Sequence, residues 1–210
     1  VDDPDQVRCE DDELRYILQS LAFVFPSIRI AQEEIVFRFS GVRPLPASED
    51  SFTGRIPRDH FCEFVEPIGA LPPTLCMIGG KWTTFRSFGA LAADMALERL
   101  GLTRDVGTED LAIGGGRDFP ADPATWCAAL ASEYGISKAR AQTLLERYGS
   151  SARAIADEIS GSADAMLPGY SYSQNEIRLI VEREQVETLA DIFLRRTTIA
   201  ITGGASENLD

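Results

Sequence analysis

The segment GGKWTTFR, residues 79–86, combines the residue types that bind negative charge at the start of a helix. It follows a short apolar stretch, residues 74–78, that predicts a buried strand, and it opens a helical pattern over residues 82–100. A strand that stops at two glycines and leads into a helix leaves backbone N–H groups without partners, and the helix dipole adds to their attraction for an anion. Lys81 contributes a full positive charge. We therefore expect a site for a phosphate or for the pyrimidine edge of a flavin; the alternative is an ordinary strand-to-helix turn capped by threonines.

Two arginines stand in constrained positions. Arg43 lies in SGVRPL, at the end of a predicted strand, and Arg58 lies in IPRD, just before another. An arginine fixed by rigid neighbours makes a good bidentate partner for phosphate or carboxylate. For either arginine, the alternative is a surface ion pair with one of the many acidic residues. His60 follows Arg58 closely and is a candidate general base, although a single histidine in a strand is more often structural.

The composition excludes several classes of function. The net charge is -13, and a field of that sign repels nucleic acid and anionic lipid headgroups. The four cysteines are scattered without a CxxC pair, which indicates buried thiols in a reducing cytoplasm. His60 is the only histidine, so a histidine-rich metal site is excluded and no metal is expected. No run of about 18 apolar residues is present and the N-terminus is acidic, so neither a membrane span nor a signal peptide is expected.

The first half of the chain has the pattern of short strands between two helices. Apolar spacing predicts helices over residues 11–25 and 82–100, and composition predicts strands over residues 34–39, 59–65 and 74–78. Aromatic residues lie at spacings typical of a core. These expected core residues are Phe23, Phe25, Phe37, Phe39, Phe61, Phe64, Trp82 and, in the second half, Trp126.

The character of the chain changes near residue 103. A run of three glycines at residues 114–116, followed by two prolines, predicts a linker over residues 103–122. Beyond it we expect only helices, over residues 123–134, 137–148, 150–159 and 173–197. The expected fold class is α+β, with short strands and helices in residues 1–102 and a small all-helical domain in residues 123–210.

A dinucleotide-binding fingerprint is absent. No G-x-G-x-x-G segment follows a predicted strand and opens a helix, and the glycine run at 114–116 lacks the lysine and hydroxyl residue of a phosphate loop. The chain by itself therefore has no element for holding the adenosine diphosphate part of a dinucleotide.

The motifs together resemble one family. In order, EEIVFRFSGVRPL, IPRDHF and IGGKWTTFRSFGALAADMA resemble the final third of the FAD-dependent glycerol-3-phosphate dehydrogenases. YGSSARAI and YSYSQNEIRLIVEREQVETLADIFLRRT are similar to the C-terminal helical domain of that family. The resemblance implies that residues 1–102 are the C-terminal part of an FAD- and substrate-binding domain, and that residues 123–210 are the helical domain.

The resemblance also implies roles for single residues. Arg43 is similar to the family arginine that contacts the substrate beside the flavin, and Arg58 to the arginine that binds the phosphate of glycerol 3-phosphate. Lys81 is expected to help hold the same dianion. No catalytic base is identified. The residues expected along the isoalloxazine of FAD are Gly79, Gly80, Lys81, Trp82 and Thr83.

The chain departs from the family pattern in a few places. Trp82 stands where leucine is common, Phe85 where tyrosine is common, and Pro57 where a polar residue is usual, but none of these changes removes a charge. The larger departure is that the family's N-terminal Rossmann-type part is not in this sequence. We therefore expect a fragment that keeps a substrate clamp and one wall of the flavin site.

The implied reaction of the parent enzyme is oxidation of glycerol 3-phosphate to dihydroxyacetone phosphate by hydride transfer to FAD. Electrons would pass on to a quinone or to oxygen, in a cytoplasmic enzyme for which peripheral membrane contact and homo-oligomerisation both stay open. The isolated chain, without its N-terminal FAD domain, is expected to be inactive. One alternative is a helical interaction or stabilising module with no activity, and another is a related FAD-dependent amine or hydroxy-acid oxidoreductase.

Overall fold

The computed structural model describes residues 3, 6–42, 59–67, 69, 71–79, 81–160 and 164–204. The chain forms two compact units, one of residues 42–112 and one of residues 1–41 with 113–210. Within the described residues, a two-stranded sheet accompanies a larger set of helices, so the expected α+β class is confirmed. The domain boundaries expected from the sequence stay a prediction. None of the described helices is long and apolar enough to cross a bilayer.

The unit of residues 42–112 is built on a hairpin and one helix. Strands β1 (Phe61–Val65) and β2 (Thr74–Ile78) pair antiparallel, with Phe61 opposite Ile78 and Val65 opposite Thr74. Helix α2 (Phe85–Arg99) follows β2, and its buried Phe88 packs against the ring of His60 with ring centroids 4.7 Å apart. Both strands and the helix were expected, the second strand at the same bounds.

The strand expected over residues 34–39 is wrong. Residues Gln32–Glu34 form a 3₁₀ turn, in which the carboxylate of Glu34 accepts the N–H of Ala31 at 2.7 Å, and residues 35–42 contain no strand. Branched and aromatic residues favour a strand only when another strand supplies the ladder hydrogen bonds. Among the described residues, β1 and β2 pair only with each other.

The aromatic residues of the first half do not form the expected core. Trp82 is 90% exposed, Phe23 88% and Phe39 74%, and Phe25 and Phe61 are also exposed. Periodicity indicates which side chains share a face, but it does not show whether anything covers that face. Trp126, in contrast, does pack against the core of the helical part.

Helix α1 (Asp11–Val24) begins with three acidic residues, which complement the helix dipole, and its capping residue Glu10 donates its backbone N–H to Glu13 at 3.0 Å. It ends just before Pro26, one residue earlier than expected. The segment after it returns to its start, because Arg38 pairs with Asp11 at 3.0 Å.

The helical part of the larger unit follows its capping residues. Helices α3 (Pro123–Tyr134), α4 (Lys138–Tyr148), α5 (Ala152–Ser160) and α6 (Gln174–Arg183) lie at or near the expected positions. The side chains that accept the first N–H groups of α3, α4 and α6 are Asp122, Ser137 and Ser173. The helices bury a shared core, whose buried members are Cys127, Leu130, Ala131, Ala141, Leu144, Leu145, Ala152, Ala156, Ile159 and Leu179.

The single long helix expected over residues 173–197 is interrupted. Helix α6 ends at Arg183, and Gln185 then adopts a left-handed backbone conformation with φ 52°. A short helix α7 (Leu189–Asp191) begins after the capping residue Thr188 and continues as a π-helix over Ile192–Arg196. The break arises because the Thr188 hydroxyl accepts the N–H of Asp191, which starts a new helix instead of continuing the old one.

The glycine run expected in the linker has a packing role. Gly114–Gly116 form a 3₁₀ turn that lies against a second 3₁₀ turn, Gly149–Ser151, at the end of α4. A Cβ added to Gly115 would lie 2.8 Å from the Cα of Gly149 and would overlap the carbonyl oxygen of Tyr148. Gly149 itself has φ +60°. Two backbones approach here at a distance that only glycine permits.

The cap of α7 provides a test that depends on pH. The N–H and hydroxyl of Thr188 and the N–H of Glu187 all donate to Asp191, and they lower the pKa of that carboxyl from 3.8 to about 2. A carboxyl whose pKa is lowered by folding stabilises the folded state at pH values above its ordinary pKa. This contribution is lost as the pH falls from about 4 through about 2. We expect Asp191→Asn to lower the unfolding temperature at pH 7. The difference in unfolding temperature between the variant and the wild type should shrink as the pH falls over that range. Thermal unfolding followed by circular dichroism measures this, with Asp157→Asn on α5 as control; a difference independent of pH would contradict it.

Candidate functional site

The turn between β2 and α2 is fixed by a glycine with two constraints. Gly79 has φ +75°, and a Cβ there would lie 2.8 Å from the carbonyl oxygen of Asp59. Any other residue would therefore be strained in its own backbone and would also push against the segment that enters β1. The geometry holds the end of β2 close to the start of β1 and directs the chain into α2.

A 3₁₀ turn, Trp82–Thr84, begins directly after Lys81 and leads into α2. The backbone N–H of Lys81 donates to Thr84 Oγ1 at 3.2 Å, and the Thr84 hydroxyl donates to the carbonyl of Lys81 at 2.9 Å. Thr84 thus acts as the cap that the ordinary-turn interpretation requires. The N–H groups of Trp82 and Thr83 lie in the first turn, where a helix offers no acceptor of its own.

The outer surface of this turn is open. Lys81, Trp82 and Thr83 are all exposed, the indole of Trp82 almost completely, and Phe85 is half exposed. A cation, backbone donors at a helix start and a flat aromatic surface occur within four residues of one another. Together they suit a planar ligand whose edge carries negative charge.

Arg86 closes the other side of the turn. Its Nη2 donates to the carbonyl of Leu111 at 2.9 Å, and its Nη1 donates to the carbonyl of Thr108. The guanidinium therefore ties the first turn of α2 to the segment at residues 108–111, and two of its nitrogens are engaged by backbone carbonyls. No role was predicted for Arg86, because a cation within a basic motif does not show whether its partner is a ligand or the backbone.

The structure places only part of the expected site. Gly79, Lys81, Trp82 and Thr83 lie together in the described turn, whereas Gly80, Arg43 and Arg58 lie outside the described residues. The phosphate clamp of Arg43 and Arg58 therefore stays a prediction. His60 is half-buried against Phe88, the packing expected of a structural histidine.

A second polar centre, which the sequence analysis missed, lies inside the helical part. The side chain of Glu176 is 1% exposed and accepts hydrogen bonds from Arg140 Nη2 at 2.7 Å, from the Tyr148 hydroxyl at 2.6 Å and from Arg147. Arg140 also donates to Ser173 Oγ, and Arg147 lies over the ring of Tyr172 at 3.6 Å from its centroid. The sequence signal was present, because Glu176 shares a helical face with the apolar pair at residues 179 and 180.

The electrostatics of this centre favour the charged carboxylate. Burial opposes ionisation of Glu176, but hydrogen bonds from Tyr148, Arg140 and Arg147 outweigh it, so the pKa of the carboxyl lies below its ordinary value. Burial and the bond to Glu176 raise the pKa of Tyr148 well above its usual range. The cluster is an internal network that joins α4, α6 and the turn before α6, with two guanidinium groups on one carboxylate.

The fit to a flavin can be tested on the described turn alone. Its donors, its lysine and its exposed indole match the electron-rich pyrimidine edge and the flat face of an isoalloxazine. No segment with the glycine spacing for a pyrophosphate occurs in the sequence. The residues present therefore fit one edge of the ring system of FAD and do not account for the rest of the cofactor.

Comparison with known proteins shows what this chain is similar to. Residues 106–208 match the model of a family described as the C-terminal domain of alpha-glycerophosphate oxidase. A glycerol-3-phosphate dehydrogenase of Synechocystis sp. is 27% identical over 203 residues, which are 94% of this chain and 36% of that protein.

Two further relatives extend the comparison. The aerobic glycerol-3-phosphate dehydrogenase of Escherichia coli is 28% identical, over 93% of this chain and 39% of that protein. The D-erythritol 1-phosphate dehydrogenase of Brucella abortus is also 28% identical, over 92% of this chain and 38% of that protein. The chain therefore spans less than two fifths of the length of the curated relatives it matches.

Proposed function

We propose that this chain, which is similar to glycerol-3-phosphate dehydrogenases over more than nine tenths of its length, forms part of an FAD-dependent flavoprotein that oxidises glycerol 3-phosphate to dihydroxyacetone phosphate. The observation that carries the proposal beyond the family is the turn from Gly79 to α2, which presents Lys81, Trp82 and helix-start N–H groups on one open surface. When bound, FAD supplies the acceptor for the hydride that leaves C2 of the substrate.

The residues of this chain have two tasks in the proposed enzyme. The N–H groups of Trp82 and Thr83 would hold the pyrimidine edge of the flavin and, with the dipole of α2, would favour negative charge on it. Arg43, Arg58 and Lys81 hold the phosphate dianion of the substrate by charge-assisted hydrogen bonds, so that C2 is oriented for reaction. Gly79 supports both tasks, because it sets the direction in which the turn leaves β2.

The proposal requires more than these 210 residues for activity. The turn supplies one edge of a flavin site, and the binding of the remaining part of FAD needs residues of another segment or protein domain, as in relatives about two and a half times as long. We expect the purified 210-residue polypeptide to be colourless after gel filtration and inactive with glycerol 3-phosphate. A yellow polypeptide that keeps its flavin would show that these 210 residues bind FAD by themselves, which would contradict the need for another segment.

The location belongs to the same proposal. A cytoplasmic enzyme that delivers electrons to a quinone needs contact with the membrane, whereas one that reduces oxygen does not. Parallel measurements of quinone reduction and oxygen uptake by the native protein distinguish the two acceptors.

One alternative substrate has support from the comparisons, since a relative of similar identity is named for D-erythritol 1-phosphate. Both substrates are polyol phosphates, and the same cationic clamp would hold either. Rates with the two compounds at equal concentration separate these possibilities. The helical interaction module remains the alternative without chemistry, and it predicts no activity with either compound.

Arg58→Ala provides the kinetic test of the clamp. In the native protein that carries this sequence, we expect kcat/KM for glycerol 3-phosphate to fall by about 10- to 100-fold, because a hydrogen bond to a charged group is worth roughly 1.5–3 kcal/mol. The loss should appear mainly in KM, since the phosphate is bound equally before and during reaction. Steady-state kinetics measure this, with Arg153→Ala in the helical part as control. An unchanged kcat/KM in Arg58→Ala would remove Arg58 from the site.

A further inference from the structure

A polar cleft lies in the helical part, within one compact unit. The end of α4, the turn at residues 171–172, the end of α6 and the π-helix after α7 enclose about 720 Å³. A shallower depression of about 420 Å³ adjoins it and shares Arg195 and Arg196. The cleft is open to solvent and has no residue in common with the turn at Gly79.

Three arginines and two glutamates are the charged residues that line the cleft. Arg147, Arg195 and Arg196 face the cleft, and Arg183 faces the adjoining depression. Ser171 and Thr198 add hydroxyl groups between them, whereas the hydroxyls of Thr143 and Thr197 already donate to the carbonyls of Ala139 and Ile192. In a molecule with a net charge of -13, such a concentration of arginines runs against the background. Guanidinium and hydroxyl groups together suit a ligand with several acceptor oxygens.

Acidic groups near the cleft orient these arginines. Asp191 accepts a hydrogen bond from Arg195 Nη1 at 2.6 Å, and the carbonyl of Glu184 accepts one from Arg196 Nε at 2.6 Å. Glu176 holds Arg147 from the buried side, while Glu146 and the carboxylate of Glu184 line the cleft itself. A guanidinium carries five N–H donors, so each of these bonds fixes a position and still leaves donors directed elsewhere. The side chain of Arg195 is 59% exposed.

Two unusual backbone features lie at the rim of the cleft and the depression. The segment that carries Arg195 and Arg196 is a π-helix, a conformation found mostly as single turns and frequently at functional sites. Gln185, in the lining of the depression, has a left-handed backbone with φ 52°, which is uncommon for a residue other than glycine. Both features bring the end of α6 and the two arginines to one place.

We propose that this cleft binds a phosphate-class oxyanion, either inorganic phosphate or the phosphate group of a small monoester, between Arg147, Arg195 and Arg196. Arg147 is already fixed by Glu176, Ser171 and Tyr172. The ligand joins it to the π-helix, so that occupancy holds the C-terminal segment against α4 and α6. The site is independent of the proposed oxidation at the turn before α2.

The test is binding of phosphate by the 210-residue chain. Calorimetric titrations with inorganic phosphate and with methyl phosphate, at constant ionic strength set with chloride, show which source is preferred. We expect Arg195→Gln/Arg196→Gln to weaken binding by at least about tenfold, because two charge-assisted contacts are removed. The control Arg178→Gln, an exposed arginine on α6 paired with Glu182, should bind within about twofold of wild type.

Three results would overturn the proposal: no binding of either compound by the wild-type chain, unchanged binding by the double variant, or equal weakening by Arg178→Gln. Circular dichroism checks that the double variant is folded. If it is not, Arg195→Gln alone replaces it, since that side chain is largely exposed, and a loss of about threefold or more is then expected.

Discussion

Replacing Glu176 with alanine is expected to destabilise the helical part by about 3–5 kcal/mol, the usual cost of removing one partner from a buried ion pair. The carboxylate is 1% exposed, and the change would leave the guanidinium of Arg140, itself 9% exposed, without its partner. The hydroxyl of Tyr148 would lose its acceptor as well. Urea unfolding followed by circular dichroism measures the loss.

The matched control for this change lies on the same helix. Glu182 is 49% exposed and pairs with Arg178 one turn away, so Glu182→Ala should cost about 0.5 kcal/mol or less. Lowering the pH should reproduce part of the destabilisation expected for Glu176→Ala. Folding lowers the pKa of this carboxyl, so its contribution to stability is lost as the pH falls below the ordinary pKa of a glutamate. Equal losses in Glu176→Ala and Glu182→Ala would show that the buried network does not stabilise the fold.

Gly115→Ala is expected to destabilise the same unit by about 3 kcal/mol or more, which is the upper end of the usual cost of overpacking. The new methyl group would overlap the carbonyl oxygen of Tyr148 and lie 2.8 Å from the Cα of Gly149. Both neighbours are backbone atoms, so no flexible side chain can move aside. The two 3₁₀ turns at residues 114–116 and 149–151 would have to separate.

The next glycine along the chain is the control. A Cβ on Gly116 would have no neighbour within 4 Å, and its backbone is not left-handed. Gly116→Ala should therefore change stability by no more than about 0.5 kcal/mol. Similar unfolding midpoints for Gly115→Ala and Gly116→Ala would contradict the close approach of the two turns.

Local signals predicted most of the helices and the two strands of the hairpin, though not their pairing. Asp122 and Pro123 mark the start of α3 and Gly135 its end, and the apolar stretch TLCMI became β2 at the expected bounds. These features depend on capping and on the pairing of near neighbours, which a short stretch of sequence contains. Residues 34–39 were misjudged because their composition favours a strand, but a strand also requires a partner elsewhere in the fold.

The aromatic residues show a second limit. Phe23, Phe39 and Trp82 have the spacing or type of core residues, yet all three are strongly exposed. Helical periodicity identifies an apolar face, while burial depends on a covering surface that periodicity does not describe. The prediction of one long helix over residues 173–197 was wrong for a related reason. The apolar pattern continues through Thr188, but the capping bond of Thr188 starts a new helix there.

The candidate site was predictable in its local part. Glycine, lysine and a following helix indicated the turn, and the structure places Gly79, Lys81, Trp82 and Thr83 as expected. The role of Arg86 and the network around Glu176 required three-dimensional contacts between segments about 20 to 36 residues apart. Such pairings leave no periodic signal, so only the fold reveals them.

Anaerobic titration of the native protein with glycerol 3-phosphate distinguishes a polyol-phosphate flavoenzyme from a protein without this chemistry. We expect the protein to carry flavin, whose visible absorbance is bleached by glycerol 3-phosphate and unaffected by glycerol, which lacks the phosphate. Lys81→Met should require a higher concentration of glycerol 3-phosphate for the same bleaching, because one of three cations of the clamp is removed. A native protein without flavin, or a flavin that glycerol and glycerol 3-phosphate reduce equally, would contradict the proposed function.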